Sequence, residues 1–115
     1  MDASTSTAER ALDALGDPTR RLVFKRLLGG TRSVREIAEG LDISRPAVSQ
    51  HLKVLKGAGL AIVRIEGTRH LYAVDRRGVE AVRGWFDEFW DKALGAFKRA
   101  AEQEAAKSKR RVRDE

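Results

Sequence analysis

The chain has 115 residues, 42% of them hydrophobic and 35% charged, with 23 Lys and Arg against 17 Asp and Glu for a net charge of +6. That length suits one domain with a core of its own. The lack of cysteine excludes disulfides, thiol redox sensing and thiolate metal sites, and no apolar run approaches the roughly 20 residues that span a bilayer.

Charge is unevenly spread. Residues 1–17 carry one base and four acids, residues 18–56 nine and three, residues 57–106 eight of each, and residues 107–115 five and two. Two basic stretches in one chain favour a polyanionic partner over a merely basic surface. The start, Met1 to Thr7, is polar and carries Asp2, unlike a signal peptide, so a cytoplasmic protein is expected.

Residues 1–5 are read as disordered, and a first helix is expected from about Ser6 to Leu15, with Ala8, Ala11, Leu12 and Leu15 on one face. Asp17-Pro18 restarts the chain as N-cap and first helical residue. The helix it opens is read with Leu22, Val23, Leu27 and Leu28 inward and Arg20, Arg21, Lys25 and Arg26 mostly outward. Gly29-Gly30 ends it.

Ser33 and Glu36 have the spacing of a capping box, opening a short helix with Val34, Ile37 and Ala38 inward and Gly40 as its stop. Ser44 then caps another helix, with Pro46 in the first turn. Val48, Leu52 and Leu55 fall at i, i+4 and i+7 and form its apolar stripe. The remaining face carries Arg45, Ala47, Ser49, Gln50, His51, Lys53 and Lys56, without one acid. Two short helices joined by a Gly-containing turn have the form of a helix-turn-helix, and this face suits base edges in a DNA major groove.

After Gly57-Ala58-Gly59, Leu60–Ile65 and Arg69–Val74 read as strands joined by Glu66-Gly67-Thr68. A two-stranded hairpin directly after a helix-turn-helix is a wing, with Arg64, Arg69 and His70 near its tip, in reach of phosphates or the minor groove. The expected fold is therefore mainly α with a small β-hairpin, a winged helix-turn-helix: four helices, the hairpin, and a fifth helix from about Arg77 to Lys107.

That last helix holds both tryptophans and three of the four phenylalanines at helical spacing. At 1.5 Å per residue it would reach about 45 Å, too long for one small domain to cover. A second copy is the expected cover, with Ala8, Leu12, Trp85, Phe86, Phe89, Trp90 and Phe97 at the interface. A two-fold dimer would set two reading helices about one DNA turn apart. The cluster Trp85, Phe86, Phe89 and Trp90 also suits a small hydrophobic inducer, against the plainer reading as packing. Residues 1–106 thus form the winged domain with its dimerisation helices, and 107–115 a basic disordered tail.

Leu15-Gly16-Asp17-Pro18-Thr19-Arg20-Arg21, Ile37-Ala38, Ser44 through Leu55 and Gly57-Ala58-Gly59-Leu60 resemble the ArsR/SmtB winged-helix repressors over roughly residues 8–75. The tryptophan-rich last helix is similar to the SdpR-like autorepressor branch. The resemblance implies a homodimer that binds an imperfect palindrome in a promoter and represses transcription. It places base contacts on Arg45, Ala47, Ser49, Gln50 and His51. Backbone contacts are expected from Arg20, Ser33, Ser44, Lys53, Arg64 and Arg69.

Metal sensing in that family uses a Cys-x-Cys motif before the turn, or Asp, His and Glu pairs on the last helix. Here residues 34–39 hold no cysteine and the last helix no histidine; His51 and His70 lie in the reading helix and the wing. No metal and no cofactor are expected. Nor is an enzyme: Ser49 and His51, at i and i+2, point to different faces of one helix, and no phosphate-cradling glycine motif is present. The alternative is a winged-helix module for protein interaction or non-specific nucleic-acid binding.

Overall fold

Caps set the helix boundaries. In the computed structural model, which describes residues 3–114, the order is α1 (Ala3–Ala14), α2 (Pro18–Leu27), β1 (Arg32–Ser33), α3 (Val34–Ala38), α4 (Arg45–Gly57), β2 (Ala61–Glu66), β3 (Arg69–Val74) and α5 (Arg76–Asp114). The Asp17 carboxylate accepts the Thr19 and Arg20 amides at 2.8 and 3.1 Å. Ser33 and Glu36 exchange bonds with each other's amides, the capping box read from their spacing. Ser44 Oγ accepts the Ala47 amide at 3.2 Å. Helix α4 closes with a Schellman motif: the Leu60 amide donates to the Leu55 carbonyl and the Gly59 amide to Lys56, with Gly59 at φ +77°.

The sheet has three antiparallel strands in the order β1-β3-β2, not two. Arg32 pairs with Tyr72 and Ser33 with Leu71. A two-residue strand carries no alternation to read, and only its partner reveals it. In the hairpin Glu66 pairs with Arg69, leaving Gly67-Thr68 as a two-residue turn with Gly67 at φ +61°.

Helices α2, α3 and α4 and the sheet enclose one core, whose largest fully buried side chains include Leu27, Ile37, Leu52, Leu55 and Leu60. Helix α1 adds Ala11 and Ala14 to it, and Ala8 is buried too. The inward face of α2 differs from expectation. Val23, Phe24 and Leu27 are buried, while Leu22 is 50% exposed and Leu28 65%. Positions i, i+1 and i+4 make the narrow stripe that faces α4, and the two outer leucines fall beside it. Arg26 is not purely outward either: its guanidinium donates to the Ile37 and Glu39 carbonyls and closes the end of α3.

Both outer helices run longer than expected. Helix α1 begins at Ala3, inside the stretch read as disordered; Met1 and Asp2 lie outside the described residues. Helix α5 continues through Asp114, where residues 107–115 were read as a disordered tail; Glu115 lies outside the described residues. Nothing from Ala96 to Asp114 breaks a helix, because that stretch lacks Gly and Pro and is rich in Ala, Lys, Arg and Glu.

The chain divides into two compact units, Met1–Gly84 and Trp85–Glu115. The first includes the start of α5. Asp75 accepts the Arg77 amide at 3.0 Å and pairs with the Arg77 guanidinium at 2.7 Å. The Asp75 amide donates to Leu60 and the Gly78 amide to Gly59, both at 2.9 Å. A Cβ on Gly78 would lie 2.3 Å from the Gly59 carbonyl oxygen, so only glycine fits this contact. In the second unit the Trp85 ring stacks on Phe89 at 5.8 Å and meets Phe86 edge-on at 5.1 Å. Phe86, Phe89, Trp90, Leu94 and Phe97 are all exposed.

Candidate nucleic-acid interface

Helix α4 buries Val48, Leu52 and Leu55 and turns the opposite side outward. Pro46, Gln50, Lys53 and Gly57 recur there at i, i+4, i+7 and i+11, all exposed. Arg45 and Ser44 are exposed at the helix start. Ala47, Ser49 and His51 are half-buried. Ser49 turns toward α3 and the hairpin, whereas His51 is not among the residues that line the cleft there. The five expected base readers therefore divide between one exposed face and its two flanks.

On the Ser49 flank a cleft of about 580 Å³ opens between α3, α4 and the hairpin. Ser33, Val34 and Arg35 form one wall, and Ser49 and Lys53 another. Thr68, Arg69 and His70 close it from the hairpin, above Tyr72. No carboxylate lines it. Three of the expected backbone contacts, Ser33, Lys53 and Arg69, meet here. Arg35, Thr68 and Tyr72 were not singled out from the sequence; the pairing of Ser33 with Leu71 and Arg32 with Tyr72 brings them together, and that pairing has no local signal.

Glu36 stands behind the cleft. Its Oε1 accepts the Ser33 amide at 3.0 Å and lies 3.4 Å from Arg69 Nη2. The Ser33 amide and hydroxyl, then the charges of Arg69 and Arg32, hold the Glu36 carboxyl below the usual carboxylate range. Asp17 is held low in the same way, first by the Arg20 amide. Arg64 lies elsewhere on the hairpin, paired with Glu66 at 3.1 Å.

Arg20 is used within the chain. Its Nη1 donates to the Ala14 carbonyl at 3.0 Å and its Nη2 lies 3.9 Å from Asp17, tying the end of α1 to the start of α2. Among the described residues no cluster of His, Asp and Glu could hold a metal ion, and no helix is long and apolar enough to cross a membrane.

Known proteins share this arrangement. The family model for the bacterial regulatory protein, arsR family, matches residues 17–63, from the Asp17 cap to the middle of β2. The HTH-type transcriptional regulator Rv2034 of Mycobacterium tuberculosis is 47% identical over 96 residues, spanning 84% of this chain and 90% of the relative. The chain belongs to the ArsR family. The transcriptional repressor SdpR of Bacillus subtilis is 33% identical over 79 residues, 69% of this chain and 88% of SdpR. Among solved structures, the homodimeric winged helix-turn-helix DNA-binding domain of Mb0332 from Mycobacterium bovis matches with a TM-score of 0.58 and 28% identity, over 77% of this chain and 82% of that domain. The winged helix-turn-helix expected from the sequence is the observed fold, and as an ArsR-family member the protein is a transcriptional regulator rather than an enzyme.

Proposed function

We propose that the protein is a homodimeric, cytoplasmic repressor that reads a two-fold operator in duplex DNA. Helix α4 enters the major groove and the β2–β3 hairpin serves as the wing. The observation that carries this reading is the acid-free outer face of α4, continuous with a cleft lined by Arg35, Lys53 and Arg69. A side chain that reads bases needs exposure and a donor or acceptor, and cations beside it offset the phosphates.

On that face Arg45 and Gln50 are the main base readers, with Ala47 in apolar contact and Ser49 and His51 on the flanks. Ser44, Lys53, Arg64 and Arg69 meet the backbone, whereas Ser33 leaves this group because it is buried and its amide and hydroxyl are engaged with Glu36. Arg20 leaves this group, since its guanidinium is held by Ala14 and Asp17. The second copy covers Phe86, Phe89, Trp90 and Phe97, with the half-buried Trp85 and Leu12 also contributing; Ala8 leaves the expected interface, since its own chain already buries it completely. Repression is supported by the likeness to SdpR, and dimerisation by the homodimeric Mb0332 domain.

A footprint on the DNA upstream of the protein's own coding region, at two salt concentrations, tests the reading. The expected result is a protected site with two-fold symmetry that survives moderate salt. Uniform protection erased by salt would overturn it in favour of non-specific nucleic-acid binding or a protein-interaction module.

A further inference from the structure

Resting on the reading of this surface as DNA-binding, we propose that the cleft between α3, α4 and the hairpin seats one backbone phosphodiester, and that Ser49 serves that phosphate rather than a base. The cleft has the chemistry of an anion seat. Lys53 and Arg69 supply charge, Ser49 and Thr68 supply hydroxyl donors, and no lining residue is acidic. The Ser33 and Glu36 amides take no part, because each is bonded to the other's side chain. The charge and the hydroxyl donors of the seat come from side chains.

Position selects the diester. A strand passing from the groove entered by α4 to the one reached by the hairpin must cross the ground between them, and this cleft is that ground. Ser49 and Lys53, at i and i+4, line it together; Lys53 also borders the outer face that carries Gln50, whereas Ser49 is half-buried on this flank. Arg69 is held at the cleft by a carboxylate that is itself fixed: Glu36 Oε1 accepts the Ser33 amide and stands 3.4 Å from Arg69 Nη2. Glu36 is thus a positioning residue for Arg69. Its negative charge also sets a limit on how tightly the seat holds any anion, which suits a contact that every DNA sequence can make.

The test is a scan of the footprinted operator duplex in which each phosphate is replaced singly by a neutral methylphosphonate. One position per half-site should cost the wild type about fivefold to tenfold in affinity. That cost should vanish in Lys53→Gln, which has already lost the charge. Ser49→Ala should lose about the same factor on operator and on scrambled duplex, with unchanged thermal stability. Loss on the operator alone would restore Ser49 as a base reader and overturn the assignment. So would a scan in which no position couples to Lys53; should Lys53→Gln fail to fold, a wild-type scan in which no single phosphate costs affinity overturns it by itself. Inorganic phosphate alone, titrated while the Ser49 and Thr68 amide signals are followed, separates a free-anion site: saturation there without any coupled DNA position overturns the diester. A wild type that does not prefer its operator over scrambled duplex defeats the DNA reading itself, before the scan begins.

Discussion

Leu52 and Phe97 are both large apolar residues at helical spacing, yet Leu52 is fully buried and Phe97 is 69% exposed. Up to Gly84 the chain closes a core of its own, whereas from Trp85 onward the helix keeps an aromatic face uncovered. Periodicity reports that a face is to be buried; it does not report which molecule buries it. Leu52→Ala should therefore cost roughly 2–5 kcal/mol in urea unfolding at any protein concentration. Phe97→Ala should leave the dilute chain within about 0.5 kcal/mol of wild type and lower the midpoint only where dimer forms. Equal losses for the two at high dilution would break the distinction.

Two glycines on α5 sharpen it at the level of the backbone. A Cβ on Gly78 would press on the Gly59 carbonyl, while a Cβ on Gly84 would meet nothing within 4 Å. Gly78→Ala should cost about 3 kcal/mol, because the start of α5 must move off the turn after α4. Gly84→Ala should instead gain about 0.5–1 kcal/mol from helix propensity. Thermal melts of both variants read the contrast directly, and a stabilised Gly78→Ala would mean that α5 is not pinned there.

The features legible in the sequence are those decided within a few residues. The Asp17 and Ser44 caps, the Ser33–Glu36 box, the Gly67 turn and the buried stripe of α4 each follow from spacing alone. The rest depends on neighbours far along the chain. Phe24 replaces Leu22 and Leu28 in the core because of where α4 lies, and Arg20 and Arg26 close helix ends instead of facing solvent. Strand β1 exists only through Tyr72 and Leu71, and with it the cleft. The site was legible as an exposed face of α4 and a basic hairpin. That Ser49 belongs with Lys53 and Thr68, apart from Gln50, required the fold.

The smallest effect concerns the ion pair that starts α5 within the closed core. Asp75 is 6% exposed and accepts from Arg77, whose side-chain hydrogen bonds hold the Asp75 carboxyl below its usual range against the opposing cost of burial. A carboxyl depressed in the fold stabilises it above the ordinary value of about 4, and that contribution fades as pH falls through the lower folded value. Asn at 75 can still accept the Arg77 amide, and the backbone bond to Leu60 is untouched, so Asp75→Asn removes mainly charge. Its melting temperature should lie below wild type at pH 7, with the gap closing below about pH 4. The variant should keep some acid sensitivity, since Asp17 and Glu36 are also held low. A gap that stays constant down to pH 2 would show that Asp75 acts by shape rather than charge, and that the start of α5 is secured by the Gly59–Gly78 contact alone.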